Sequence, residues 1–179
     1  MRKPRTAKAI RAEVTRILAA HGIEKPSVPV KDIAEALGAR VRYSPFEGEL
    51  AGMLVRGDGH ILLGVNSLHH PNRQRFTIAH ECGHLWLHHD EVHIDRSFRI
   101  KKRDAVSSLA IDPDEIEANR FAAELLMPYT MLKNDLLDYD IDVENEQDIH
   151  ELAKRYEVSI QAMTHRITNI LEDILREHF

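Results

Sequence analysis

The pentapeptide His-Glu-Cys-Gly-His at residues 80–84 combines residue types and a spacing that suit a catalytic metal site. Residues four apart on a helix lie about one turn apart on the same face, so both imidazoles, those of His80 and His84, can reach one ion at about 2.0–2.1 Å. Glu81 is displaced from that pair and can accept a proton from a metal-activated water. The pattern predicts zinc-dependent peptide hydrolysis with Glu81 as the catalytic base.

Because the chain is rich in histidine, an H-E-x-x-H motif could also occur in it by chance. With 12 His and 16 Glu in 179 residues, composition alone produces an H-E-x-x-H with a probability of roughly one in fifteen. Apolar residues on both sides of the motif indicate a helix over about residues 72–89, which is the setting that the metal site needs. Inside this helix, Cys82 fits a small buried residue better than a catalytic or zinc-regulating thiol.

A catalytic zinc site has three protein ligands and an open fourth position. The neighbouring His88 and His89 follow too closely on the same helix to wrap around the ion. A better source is a second, acidic helix, which begins at Asp112 as N-cap with Pro113 in its first position and ends near Pro128.

The carboxylates of this second helix differ in the face that they occupy. Glu117 and Glu124 are seven residues apart and share a face, whereas Glu115 is expected to face elsewhere. From the residues, Glu117 ranks first as the third ligand and Glu124 second. Glu124 also fits a solvated carboxylate, or one that holds a ligand histidine.

The remaining patterns predict an α+β fold. A strand through Val41 and Tyr43 is followed by two short apolar runs around Gly57-Asp58-Gly59, which is typical of a β-hairpin. Residues 90–112 are polar and are expected to form an exposed loop with a basic run. The predicted helices cover residues 6–21, 30–37, 131–137 and 148–156, and a last one begins after Ser159 as its cap.

The hairpin strand His60–Val65 precedes the metal helix and is expected to line the cleft, where it would pair with an extended substrate as well as forming core. Several side chains are candidates for stabilising the oxyanion, and none is preferred. They are His69, His70, His88, His89 and Tyr129.

Charge and composition exclude several classes of protein. The net charge is −5, and residues 129–179 carry five Lys/Arg against twelve Asp/Glu, which disfavours phosphate contacts there. No apolar run reaches the roughly 18 residues of a membrane span. The single cysteine cannot form an internal disulfide, and the basic N-terminus lacks the apolar stretch of a signal peptide. We therefore expect a cytoplasmic protein.

The segments TIAHECGHLWLHH (77–89) and EIEANRFAAELLMP (115–128) together resemble the ImmA/IrrE family of metallo-endopeptidases. That family pairs an H-E-x-x-H helix with an E-x-E-A-N-x-F-A-x-x-L-L-M-P helix. The resemblance extends upstream to VPVKDIAEALGARVRY and ELAGML, and downstream to LAKRYEVSIQAMTHRI, so it covers most of the chain.

The resemblance implies a zincin-like core of the gluzincin type, with one Zn²⁺ held by His80, His84 and Glu117 and with Glu81 as general base. Glu117 is the residue directly before Ala118-Asn119. The implied substrate is a helix-turn-helix transcriptional repressor, cleaved in response to DNA damage or stress. Its cleavage would relieve repression of a stress regulon or a mobile element.

The C-terminal part of the chain follows a helix-turn-helix pattern over residues 151–167, although Glu157 stands where glycine is usual. We expect a metallopeptidase domain at 1–128 and a helical subdomain at 129–179 that leans on it rather than reading DNA. Two other functions stay open. One is a non-catalytic module that regulates a partner by contact, as in a toxin–antitoxin pair, and the less favoured one is a DNA-binding regulator.

Overall fold

The structure, a computed structural model, describes residues 3–48, 50–57, 59–88, 92–95, 112–138 and 141–178. Within these ranges the chain forms helices and one mixed sheet, so the predicted α+β class is confirmed. In chain order the elements are α1 (Ala7–Ala20), α2 (Val30–Ala36), β1 (Ala39–Ser44), β2 (Gly52–Gly57), β3 (His60–Asn66), α3 (Pro71–Leu87), β4 (Val92–Asp95), α4 (Pro113–Leu126), α5 (Tyr129–Asp138), α6 (Glu146–Tyr156) and α7 (Ile160–His178).

Side-chain caps fix where the helices near the predicted site begin. The Asp112 carboxylate accepts a hydrogen bond from the Asp114 backbone N–H at 2.9 Å, and Pro113 occupies the first turn of α4, as predicted. At α3 the cap is His70, whose Nδ1 accepts from the Asn72 N–H at 3.2 Å. Both helices that carry candidate ligands are therefore anchored at their first turn by their own sequence.

The sheet has the order β1-β3-β2-β4, with β1 parallel to β3 and the other pairs antiparallel. The predicted hairpin is confirmed, because β2 and β3 pair across the Gly57 turn. The prediction that strand His60–Val65 pairs with a substrate is wrong. Strand β3 lies between β1 and β2, and its backbone groups form hydrogen bonds with those two strands.

The segment 90–112 was expected to be an exposed loop, and for part of it this is wrong. Residues 92–95 form β4 and pair with β2 in antiparallel register. The four residues of β4 are too few to give a clear alternating pattern, and the strand that they pair with lies far away in sequence. The predicted basic run, from Arg96 to Arg103, lies outside the described residues.

One buried hydrophobic cluster joins the sheet to the helices. On the inner face of the sheet, Val41, Leu63 and Leu54 lie in register across β1, β3 and β2. The same cluster contains Phe121 of α4 and Met163 of α7, both fully buried. The cluster therefore spans both sides of the predicted boundary at residue 128, and the division into two domains stays a prediction.

The helix-turn-helix pattern is present in α6 and α7. Ala153, Val158, Met163 and Ile167 are all buried, and the Ser159 hydroxyl accepts from the Ala162 N–H at 3.1 Å. Glu157 takes the left-handed conformation with φ of 53°, at the position where a glycine would be usual.

Helices α3 and α4 approach each other closely at Gly83. A Cβ built on Gly83 would lie 2.9 Å from the Ala118 Cα and 3.2 Å from the Phe121 Cβ. Real Cβ atoms do not approach backbone this closely, so only glycine at 83 permits the observed separation. The middle of the H-E-x-x-H motif is therefore also the contact point between the two helices.

We expect Gly83→Ala to destabilise the protein by about 1–3 kcal/mol, because the added methyl group must push α4 away from α3. The free energy of unfolding in urea measures this. Gly57→Ala is the matched control, because a Cβ at Gly57 meets nothing within 4 Å and should change stability by less than about 1 kcal/mol. Equal effects of the two substitutions would contradict the assigned helix contact.

Candidate metal centre

The imidazoles of His80 and His84 point at the same space beside α3. Their Nε2 atoms are 3.1 Å apart, and the two residues are exposed to only 1% and 2%. The predicted consequence of the four-residue spacing on a helix is therefore observed, and the structure brings these two predicted ligands together.

Glu115 completes this group. Its Oε1 lies 3.3 Å from His84 Nε2 and its Oε2 lies 3.6 Å from His80 Nε2. Glu115 was expected to lie on another face of α4 than Glu117 and Glu124, and in the structure that other face is the one that meets the two histidines. Its position three residues before Ala118 places it on the face of α4 that packs against Gly83 of α3.

A signal for this placement exists in the sequence. Ala118 and Ala122, both fully buried, lie three and seven residues after Glu115 and share its face. Small residues on one helix that lie opposite a glycine on another mark a close helix contact. The positions of these alanines, rather than the spacing of the carboxylates, therefore indicate which face of α4 meets α3.

The imidazoles of His80 and His84 and the carboxylate of Glu115 fit a zinc ion. Tetrahedral ligands at about 2.0–2.1 Å from the metal are about 3.3–3.4 Å from one another. The two Nε2 atoms are 3.1 Å apart, His84 Nε2 lies 3.3 Å from Glu115 Oε1, and His80 Nε2 lies 3.6 Å from the other oxygen, Oε2, so each histidine faces one oxygen of the carboxylate at close to this separation. Two imidazole nitrogens with one carboxylate is also a known donor set for catalytic zinc, and it leaves one position open.

Glu81 is fully buried between α3 and the sheet. A Cβ built on Gly52 of β2 would lie 3.4 Å from Glu81 Oε1 and only 2.3 Å from the Thr77 Cγ2. Glycine at 52 thus keeps the strand backbone close to both side chains. The carboxylate that follows His80 is therefore held against β2 and beside the first ligand.

Glu117, the predicted third ligand, lies elsewhere. Its Oε1 accepts a hydrogen bond from the Arg5 backbone N–H at 2.6 Å, and its Oε2 accepts from the Arg5 guanidinium. The side chain is fully buried, and its Oε2 lies 3.9 Å from the Nε2 of His88. The structure places Glu117 in an ion pair, and it places Glu115 at the two histidines.

Glu124, ranked second, has a different environment again. Its carboxylate accepts hydrogen bonds from the Arg166 guanidinium and, at 2.9 Å, from the Tyr129 backbone N–H. Arg166 also donates to the Met127 carbonyl at 3.0 Å. Glu124 therefore joins α4 to α5 and α7. It contacts neither His80 nor His84 in these hydrogen bonds, so they do not support a role as a metal ligand or in holding a ligand histidine.

The candidates for oxyanion stabilisation have different surroundings in the structure. His88 lies beside the centre, with its ring centroid 5.4 Å from that of His84. His70 caps α3, and Tyr129 packs under Arg11, whose Cζ is 3.6 Å from the ring centroid. His89 lies outside the described residues. Of His70, His88 and Tyr129, His88 is the one whose ring lies next to that of His84.

Arg56 of β2 binds the C-terminal end of the metal helix. Its guanidinium donates to the carbonyl oxygens of His84, Leu85 and His88 at 3.0–3.2 Å. The His84 carbonyl also accepts the backbone N–H of His88 at 3.1 Å. Carbonyls in the last turn of a helix generally lack partners within the helix, and a cation at this end also suits the helix dipole. Arg56 therefore fixes the end of α3 on the sheet.

Comparison with models of known protein families identifies the family of this chain. Residues 34–168 match the model of the peptidase M78 family, described as the IrrE N-terminal-like domain. The chain belongs to this family. The resemblance to ImmA/IrrE proteins is thus confirmed, and the family is one of metallopeptidase type. The match includes both helices that carry His80, His84 and Glu115.

One solved structure of similar fold is a transcriptional regulator from Mycobacterium tuberculosis. The superposition has a TM-score of 0.58 at 15% sequence identity and covers 89% of this chain. The M78 chain spans about half of that protein, since 47% of the latter is covered. At this identity the likeness shows a shared fold.

A search of curated proteins found no match. None of the helices in the described ranges combines the length and the apolar character that crossing a membrane requires.

Cys82 lies between the two histidines in sequence and is fully buried, as predicted for a small core residue. Burial raises the pKa of its thiol well above the ordinary value, and the neighbouring Glu81 raises it further. The thiol is therefore protonated and shielded at neutral pH, which makes it a poor nucleophile.

We expect Cys82 to be unreactive toward Ellman's reagent in the native protein at a pH of about 8.5, where an ordinary thiol is half ionised. In guanidinium chloride the chain should release one equivalent of chromophore, since it has a single cysteine. Rapid reaction of the native protein would contradict the buried, protonated state.

Proposed function

We propose that this M78 chain is a zinc-dependent endopeptidase with a zincin-like core of the gluzincin type, in which His80, His84 and Glu115 hold one zinc ion. The observation that carries the proposal is that the two Nε2 atoms lie 3.1 Å apart and that each lies 3.3–3.6 Å from an oxygen of the Glu115 carboxylate. The family resemblance points to Glu117 as third ligand. The geometry favours Glu115, because the carboxylate of Glu117 is already paired with Arg5.

When bound, the ion would polarise the peptide carbonyl and make water acidic enough to lose a proton near neutral pH. Glu81 accepts that proton at a carboxylate oxygen and delivers it to the amide nitrogen of the leaving amine. Its burial against Gly52 excludes bulk water from the carboxylate and holds it in one orientation. Of the three ligands, Glu115 is the most exposed, with 27% of its side chain accessible, so the centre opens to solvent on its side.

We propose a helix-turn-helix transcriptional repressor as the substrate, cleaved in a stress or DNA-damage response or in control of a mobile element. Residues 129–179 have a net charge of −7, from five Lys/Arg and twelve Asp/Glu. A DNA-binding repressor presents a basic surface, which this acidic segment complements. The single, buried Cys82 fits the reducing cytoplasm as the compartment.

Direct DNA binding by α6 and α7 is disfavoured by the contacts of their arginines. Arg166 is occupied by Glu124 and the Met127 carbonyl, and Arg155 lies 3.1 Å from the Asp135 carboxylate. A DNA reader needs such side chains available for phosphates. A mobility-shift assay should accordingly show no salt-sensitive binding.

Glu81→Gln should retain the metal but lower kcat for cleavage by at least about 10²-fold, because it removes the proton acceptor and keeps the shape. The substrates to test are helix-turn-helix regulators encoded beside this chain, with cleavage followed by mass spectrometry. Glu35→Gln, an exposed change on α2, is the control and should leave cleavage unchanged. A partner recovered intact in the presence of excess zinc would instead support the contact-regulating module.

Substitution of the two neighbouring glutamates distinguishes the possible third ligands. Glu115→Gln should weaken zinc binding by roughly a hundredfold or more, because it removes one of three protein ligands. Glu117→Gln should still bind one ion per chain. Competition with a chromophoric chelator measures both affinities, and the reverse order of effects would favour Glu117 as the ligand.

A further inference from the structure

In the part of the segment before α1 that the structure describes, residues 3–6, Arg5 contacts the metal centre. The family model matches residues 34–168, so this arm lies outside the part of the chain that defines the family. Its contacts with the centre are consequently a feature of this chain that the family assignment does not explain.

Arg5 holds the carboxylate of Glu117 with two different groups. Its backbone N–H donates to Oε1 at 2.6 Å, and its guanidinium donates to Oε2. Glu117 is fully buried, whereas the Arg5 side chain is 39% exposed. Because a buried carboxylate is stable only when it is paired, this contact fixes the position of Glu117.

The same arginine also contacts both helices that carry the candidate ligands. A second guanidinium nitrogen lies 3.4 Å from the carbonyl oxygen of Leu87 at the end of α3. The Arg5 carbonyl accepts from the Arg120 guanidinium of α4 at 2.9 Å. One residue therefore ties the C-terminal end of α3 to the N-terminal half of α4.

The contacts of Arg5 restrain α4 close to Glu115, which its own helix holds less firmly than it holds residues further along. Glu115 lies in the first turn of α4, where the backbone N–H groups have no partners inside the helix. Metal–ligand distances tolerate only about 0.2 Å, while a shift of one residue along a helix is about 1.5 Å. Gly83 sets the distance between the helices, and the Arg5–Glu117 contact restrains the slide and rotation of α4.

We propose that Arg5 is a positioning residue for the metal centre: by pairing with Glu117 it holds α4 so that the Glu115 carboxylate stays against His80 and His84. The inference rests on the proposed function, because it takes these three residues as the ligands.

The neighbouring group of His88, Asp114 and Glu117 does not need a second ion to explain it. The His88 ring nitrogens lie 3.6 Å from Asp114 Oδ1 and 3.9 Å from Glu117 Oε2. The positive charge at this group is already supplied by the Arg5 guanidinium, which occupies the Glu117 carboxylate. This cluster is therefore the place where the segment before α1 contacts α3 and α4.

The experiment uses the full chain loaded with zinc or with cobalt(II), whose visible spectrum reports coordination geometry. Arg5→Met removes the charge and keeps the aliphatic stem, and Arg5→Lys keeps the charge. Arg5→Met combined with Glu117→Gln removes both charges, so that no unpaired charge stays buried. Arg16→Met is the matched control, because Arg16 is exposed and pairs with Glu13 on its own helix.

Arg5→Met should weaken zinc binding by about tenfold or more and alter the cobalt spectrum, and Arg5→Lys should restore most of the affinity. The double variant should recover the thermal stability of the metal-free protein without recovering the affinity. Wild-type affinity and an unchanged spectrum in Arg5→Met, or in the double variant if Arg5→Met does not fold, would overturn the inference. A wild-type chain that binds no metal would overturn the proposed function as well, so the two failures are distinguishable.

Discussion

The close contact of α3 and α4 at Gly83 is the constraint on which the rest of the site depends. Two ligands of the candidate centre lie on one helix and the third lies on the other, so the distance between the helix axes sets the ligand geometry. A glycine against Ala118 permits a separation that any larger pair would increase. Gly83 performs no chemistry itself, but it permits the helix separation that the ligand geometry requires.

Helix α4 is held by ion pairs at both ends, and each uses a buried glutamate. Glu117 near its start pairs with Arg5, and Glu124 near its end pairs with Arg166. Burial without these partners would leave an uncompensated charge. The two carboxylates that sequence reasoning ranked highest as ligands thus orient the helix that carries Glu115.

The parts of the fold that local sequence determines were predictable. Caps at Asp112 and Ser159, the Gly57 turn and the apolar periodicity of α1, α3 and α7 depend on residues near one another in the chain. The site was predictable where it lies within one helix, at His80 and His84. It was not predictable where it depends on which face of α4 meets α3. Strand β4 was missed for a related reason, since its pairing with β2 is set by tertiary contacts.

The placement of Glu115 opposite the two histidines has a consequence for stability as well as for chemistry. An ion held jointly by α3 and α4 cross-links the chain between His84 and Glu115 and closes the intervening segment into a loop. Because the unfolded chain does not preorganise these three groups, the ion binds the native state preferentially. If the proposed site binds zinc, the unfolding temperature should rise with the free metal concentration by mass action, and the stability of the fold would then report zinc availability.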